Sequence, residues 1–342
     1  MEADISDGLP AINMVGMLSS EVKEAGERVR TALKNTGFSI PPKRITVNLS
    51  PADIKKQGTS YDLPIAAAIL ASLGSFSREQ IENVMIMGEL GLNGEIRPVK
   101  GVLPVILEAK RMGIEHCILP LENVQEGCMV EGMKITGAET LEKLCACLRE
   151  QELPVTEGRM GIERRKASGG TDFSEVNGQE LLRRAAEIAA AGLHNLLMVG
   201  PPGSGKTMVA RRIPTILPLL DEKESLELTK IYSASGLLHE TGMIRERPFR
   251  APHHSASAAA LIGGGSIPRA GEVTLATHGI LFLDELPEFS RSTLEAMRQP
   301  LEDREVVISR AKAVYRFPAD FMLVAAMNAD LLNMIQQTIG CS

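Results

Sequence analysis

The chain has 342 residues, of which 44% are hydrophobic, 23% charged and 3% aromatic, with no tryptophan. That length exceeds what a single hydrophobic core usually organises, so two domains are expected. A net charge of −6 provides no global attraction to nucleic acid or anionic membranes, so any DNA contact must come from local loops. No apolar run reaches the roughly 20 residues of a membrane span, and Met1 is followed by "EADISDG" rather than by a secretory signal. A cytoplasmic chain with no membrane partner is therefore expected. Cys117, Cys128, Cys145, Cys147 and Cys341 form no C-x-x-C pair, which argues against a disulfide framework and a zinc site. Cys145 and Cys147 fall in the helical pattern "AETLEKLCACLRE", where small buried thiols are common.

Residues 22–37 place Val22, Ala25, Val29 and Leu33 at the three-to-four spacing of an amphipathic helix, and Gly37 is suited to cap its end. A strand-like "ITVNL" follows, then a small-residue helix "DLPIAAAILASLG", then strands "NVMIMGEL" and "EIRPV" around the turn "LNGE". A helix over "GVLPVILEAKRMG", a strand "HCILP" and a last helix near 139–149 complete an α/β domain over residues 1–150. Residues 151–180 lose this periodicity and collect Pro154, Gly158, Gly161, Gly169 and Gly170, the composition of a linker. Its basic cluster, Arg164, Arg165 and Lys166, reads as a solvated face.

The second domain, 181–342, opens with "QELLRRAAEIAAAG", a helix ending at Gly192, and "NLLMV", which reads as a buried strand. "GPPGSGKT" then fits the phosphate-loop pattern G-x-x-x-x-G-K-[ST]. A strand delivers the loop and a helix leaves it, so free backbone N–H groups converge on the phosphates. Gly200, Pro201, Pro202, Gly203, Ser204, Gly205, Lys206, Thr207 and Met208 form the predicted nucleotide cradle. Glycine lets the loop curl and lets phosphate approach the backbone. Lys206 offers a point charge to the β and γ oxygens of ATP, and the Thr207 hydroxyl a ligand for Mg²⁺.

Such a loop implies a second strand ending in acid, and "GILFLDELPEF" supplies it: Ile280–Leu283 runs into Asp284 and Glu285. Asp284 is the predicted metal residue, acting through water, and Glu285 the general base that polarises the attacking water. Carboxylates at a buried strand end are costly unless a cation accompanies them. A third strand, "FMLVAAMN", ends in Asn328.

These segments resemble the ComM/YifB branch of the Mg-chelatase-like AAA+ ATPases. The resemblance covers nearly the whole chain and includes "DISDGLPAINMVG", "KRITVNLSPADIKKQGTSYDLPIAAAIL", "RPFRAPHHSAS", "GEVTLATHGILFLDELPEF" and "RQPLEDREVVISRA". It implies a Lon-protease-like α/β domain followed by a P-loop AAA+ αβα module, with Asn328 orienting the attacking water. It further implies a homo-oligomer, a hexameric ring, that moves DNA by branch migration or helicase action during integration of transforming DNA. Two alternatives stand beside it: a motor subunit driving Mg²⁺ insertion into a porphyrin, and an inactive truncated product. Relatives generally begin with about one more strand before "EADISDGLP", which would leave the first strand without a partner. They also continue past Asn328 with an arginine finger and a C-terminal lid, whereas this chain gives "ADLLNMIQQTIGCS". Nucleotide binding is therefore expected to be weakened and turnover nearly abolished.

Within the Lon-like domain, Ser60 falls about where the family's nucleophile would be, but Leu103 occupies the position of the partner lysine, and Lys100 is three residues early. An unassisted serine is a poor nucleophile, so no peptidase activity is expected. His253 and His254, beside Arg250, invite a metal reading, yet adjacent side chains in an extended segment diverge. They are expected instead on a loop lining the ring or meeting a neighbouring subunit. Thr277 stands where the family usually has histidine, with His278 next.

Overall fold

The computed structural model describes residues 1–158, 172–238, 242–265, 268–310 and 313–328. The chain divides into two compact units, Met1–Gly161 with Gly236–Gly242 and Ile162–Ser235 with Met243–Ser342. Both are mixed α/β structures. The cluster Arg164, Arg165 and Lys166, Cys341 and the whole stretch after Asn328 lie outside the described residues.

The first unit begins with strand β1 (Glu2–Ser6), strand β2 (Ala11–Val15), helix α1 (Ser20–Asn35) and strand β3 (Arg44–Asn48). β3 lies between the other two strands, antiparallel to β1 and parallel to β2, with Ile45 opposite both Ile5 and Ile12. α1 buries the expected stripe of Val22, Ala25, Val29 and Leu33, and Ser19 caps its start by accepting from the Val22 N–H. Helix α2 (Asp62–Ser72) is apolar on nearly every side and is buried to match.

The run "NVMIMGEL", expected as one strand, is two: β4 (Val84–Ile86) and β5 (Glu89–Leu90). The chain changes sheets between them, the Met87 N–H bonding the Ile118 carbonyl and the Gly88 N–H the Ser60 carbonyl. β5 pairs with β6 (Ile96–Arg97) around the "LNGE" turn. Helix α3 (Val102–Arg111), strand β7 (His116–Pro120), short helix α4 (Val124–Gly127), strand β8 (Lys134–Ala138) and helix α5 (Leu141–Arg149) follow. β7 runs parallel between β4 and β8.

Pro154 and Thr156, at the start of the segment whose composition is that of a linker, run beside β8. Thr156 N–H bonds Ile135 O at 2.7 Å and Thr136 Oγ1 bonds Pro154 O at 3.0 Å. Near the end of that segment, Phe173 and Val176 are buried in the core of the second unit. The four described cysteines are free, and burial pushes the Cys117 and Cys145 thiols up to about 11 and about 12.

The second unit starts with helix α6 (Glu180–Gly192), strand β9 (Leu196–Gly200), helix α7 (Lys206–Arg212) and helix α8 (Glu222–Ser235). Strand β10 (Phe249–Arg250) and helix α9 (Ala258–Ile262) come next, then strands β11 (Gly263–Gly264) and β12 (Arg269–Ala270) and helix α10 (Glu272–Leu275). Strand β13 (Ile280–Leu283), helices α11 (Arg291–Ala296) and α12 (Arg298–Asp303), and strands β14 (Glu305–Arg310), β15 (Ala313–Pro318) and β16 (Met322–Asn328) complete it. β10, β13, β16 and β9 form one parallel sheet in that order.

Successive residues of β13 feed opposite cores, as the period of two requires. Ile280 and Phe282 pack with the alanines of α6 and with Val209 and Ala210 of α7, while Leu281 and Leu283 pack with Phe289, Met297 and Val306. β9 departs from its expected burial: Met198 is buried, but Leu197 and Val199 are 52% and 45% exposed. Leu197 and Val199 share the less covered face of β9, while Met198 points to the packed one, and among the described residues β9 pairs only with β16. No described helix is long and apolar enough to cross a membrane.

One ion pair fastens the first unit. Asp62, fully buried at the start of α2, accepts from Arg28 Nε and Nη2, both at 2.9 Å, and from the Leu90 N–H at 3.3 Å. Burial pushes the Asp62 carboxyl up, while the Arg28 guanidinium and the Leu90 N–H draw it back. Removing one partner of such a pair strands a buried charge, whereas apolar replacement of both is tolerated. Arg28→Met should therefore lower unfolding free energy by about 3 kcal/mol in urea titration, and the double change Arg28→Met with Asp62→Leu should recover most of that loss.

Candidate nucleotide site

The sheet order sets the site. Asn328, the last residue of β16, lies opposite Gly200, the last of β9, and Leu283 at the end of β13 lies opposite Ala325. The carboxyl ends of three parallel strands therefore open onto one place, where open α/β sheets bind their ligands. Beyond β9 the chain passes Pro201 and curls through Pro202, Gly203 and Ser204, in turns or bends, into the Gly205 cap of α7. Gly203 and Gly205 hold φ at +76° and +83°, values that side-chain-bearing residues adopt at a cost.

Within this loop Lys206 folds back on its own backbone. Its Nζ donates to the carbonyls of Gly200 at 2.9 Å and Pro201 at 3.0 Å, with Ser204 Oγ and Asn328 Oδ1 each at 3.4 Å. Thr207 Oγ1 donates to Asp284 Oδ2 at 2.7 Å, joining the first turn of α7 to the end of β13. Asp284 Oδ1 accepts from the Glu285 N–H at 3.0 Å. Glu285 sits in the left-handed region (φ 51°, ψ 49°) with its side chain 56% exposed. Pro202 and Met208 are exposed at the two rims of the loop.

The donor set suits a hard cation. Thr207 and Asp284 offer a hydroxyl and a carboxylate side by side, and among the described residues no group of three His, Cys, Asp or Glu side chains gathers as a metal cage. Mg²⁺ is held in this manner, by one or two protein oxygens together with phosphate and water.

Two contacts at the site were not legible in the sequence. Gln179, at the start of α6, adopts a left-handed backbone (φ 50°) and its Nε2 donates to the Ser204 carbonyl, so it braces the phosphate loop from outside. Nothing in a helix-opening glutamine signals this. His254 Nδ1 lies 3.3 Å from Glu285 Oε2. The expected divergence of His253 and His254 does not occur: their ring centroids are 4.0 Å apart. The segment is a turn, closed by Ala256 N–H to His253 O at 2.9 Å, and a turn brings neighbouring side chains to one side.

At the amino ends of the same strands lies a polar cavity of about 330 Å³, lined by Arg247, His278, Arg304 and Asp320 among others. Arg247, 6% exposed, pairs with Glu224 and donates to the carbonyls of Pro218, Leu219 and His278. His278 Nε2 meets Glu227 Oε2 at 2.8 Å, while Thr277 is buried and donates to the Pro318 carbonyl. The "ATH" segment thus serves the end of the sheet away from the phosphate loop. In the first unit, Leu103 is fully buried, Lys100 is exposed, and the Ser60 carbonyl accepts from Gly88.

Comparison with known proteins gives two family matches: "Magnesium chelatase, subunit ChlI" over residues 172–339 and "Subunit ChlI of Mg-chelatase" over residues 1–123. The chain is 46% identical over 331 residues to the competence protein ComM of Haemophilus influenzae, and 45% identical over 334 residues to the uncharacterized protein YifB of Escherichia coli. Each alignment covers 96% of this chain but only 65% and 64% of those relatives. Lon protease 2 of Bacillus subtilis is 32% identical over 127 residues, 36% of this chain and 22% of that protein.

The Gln179 brace leads to an expected outcome. Gln179→Ala should loosen the loop and weaken binding of a fluorescent ATP analogue about fivefold, the worth of one hydrogen bond near 1 kcal/mol, without changing the melting transition of the second unit.

Proposed function

Because the chain belongs to the Mg-chelatase ChlI-like family and is homologous to YifB and ComM, we propose that it binds ATP with Mg²⁺ at residues 200–208 and hydrolyses it with little turnover. The observation that carries this reading is the meeting of three separated segments: Thr207 with Asp284 at 2.7 Å, and Lys206 with Asn328 at 3.4 Å. A phosphate loop without the acid would bind; with acid and asparagine at the same strand ends it is equipped to cleave.

The residues divide the work by chemistry. The N–H groups of the loop and the Lys206 ammonium bind the β and γ oxygens, the ammonium exchanging its carbonyl partners at Gly200 and Pro201 for phosphate. Thr207 and Asp284 would hold Mg²⁺, which when bound neutralises charge on the transferring phosphoryl group. Glu285 takes a proton from the attacking water as that oxygen bonds to the γ phosphorus, and the bond to the β-phosphate oxygen breaks to give ADP and phosphate. Asn328, beside Lys206, orients the water.

We assign this hydrolysis to a homo-oligomeric ring, hexameric in the reading favoured here, that acts on DNA, working by branch migration or unwinding. One relative is named a competence protein, and competence is the uptake of DNA; that name supports the DNA reading. The family's printed name, magnesium chelatase, supports a second: a motor subunit for metal insertion into a porphyrin. The first unit has no peptidase role in either, since its candidate lysine position is the buried Leu103.

Lys206→Ala should weaken ATP binding at least about a hundredfold by equilibrium dialysis, and Glu285→Gln should retain binding while lowering single-turnover hydrolysis about a hundredfold or more. Hydrolysis stimulated by branched DNA sustains the DNA reading; stimulation only by a porphyrin with its partner subunits would replace it.

A further inference from the structure

The histidine pair has no part in the chemistry above, yet the fold delivers one of them to the general base. β10 runs parallel to β13 with Arg250 opposite Leu281. Four residues beyond that pair, the two chains reach His254 and Glu285, and the His254 Nδ1 stands 3.3 Å from Glu285 Oε2. The contact lies beyond the paired residues, between the turns that follow the two strands.

The segment that presents His254 is fastened at both ends. Before it, Arg250 makes two bonds to the Glu272 carboxylate at 2.7 and 2.8 Å, and that carboxylate raises the arginine above its ordinary range. After it, Ser257 caps α9 through the Ala260 N–H, and Thr293 Oγ1 reaches the Ala256 carbonyl at 3.5 Å. Between these points His253 closes the turn through its carbonyl, bonds Ser255 through Nδ1 and lays its ring against that of His254. His254 is therefore restrained by its neighbours, whereas the Glu285 side chain, 56% exposed on a flexible stem, has among the described residues only this contact to fix where its carboxylate points.

We propose that His254 is a positioning residue for Glu285, holding its carboxylate through the 3.3 Å contact of Nδ1 in the orientation from which it receives the proton of water. The inference rests on the hydrolytic reading above. A contact to one carboxylate oxygen leaves the other free as base and removes rotamers that point to solvent. Small misplacements of a base reduce rate steeply while leaving substrate binding intact.

Single-turnover hydrolysis and ATP-analogue binding, measured on the 342-residue chain and its variants, test this. His254→Ala and His254→Phe should each lower the hydrolysis rate about tenfold with affinity unchanged. His254→Asn, whose amide nitrogen falls close to the position of Nδ1, should recover most of the rate. In a Glu285→Gln background, His254→Ala should have no further effect. An Asn variant no better than Phe, or additive losses in the double variant, would overturn the proposal. A wild-type chain that hydrolyses nothing would instead sink the hydrolytic reading on which it stands, and the proposal with it. The contact itself is read without turnover: in nucleotide-free protein labelled with ¹⁵N-histidine, Glu285→Gln should move the His254 ring resonances and Glu288→Gln should not. Unmoved resonances in the first variant defeat the inference whatever the kinetics.

Discussion

Strand β16 runs parallel between β9 and β13, with Asn328 opposite Gly200 and Ala325 opposite Leu283. Residues at the ends of these strands, as far as 128 residues apart along the chain for Gly200 and Asn328, are therefore held at one level by backbone hydrogen bonds rather than by their own attraction. A slip of one residue in β16 would turn Asn328 to the other face of the sheet and exchange the two sets of core residues. The apolar pattern forbids that slip. Val324 and Ala326 fill one core while Ala325 fills the other, so packing energy fixes the register and the register fixes the chemistry.

Much of the second unit was legible because its signals are local. The phosphate loop is contiguous, and the β13 acid follows four apolar residues that announce a buried strand. What escaped depends on pairing. His254 meets Glu285 in the turns beyond β10 and β13, and no periodicity reports that two segments 30 residues apart will meet. Gln179 reaches Ser204 for a like reason. The exposure of Leu197 and Val199 reflects which face of β9 other elements cover, which hydrophobicity along one strand does not encode.

The first unit shows the same division. α1 and α3 were readable from their stripes, and α2 from its unbroken apolar run. β8, with the mixed sequence "KITGA", carries little strand signal of its own and is specified by its partner β7 and by the strap of residues 154–156 alongside it. The split of "NVMIMGEL" between two sheets is likewise a tertiary decision, taken where Met87 bonds to Ile118 and Gly88 to Ser60. A buried Asp62 would be a liability on sequence grounds, and Arg28, 34 residues away, is what makes it tolerable.

The left-handed backbone at Glu285 sets folding against function. Glycine or asparagine occupies such a conformation readily, while a residue with a long side chain is held there at roughly 1 kcal/mol of local strain. Glu285→Gly would relieve that strain and at the same time delete the carboxylate. Directed evolution for heat resistance, blind to catalysis, would drift toward a sturdier and inert protein at this position.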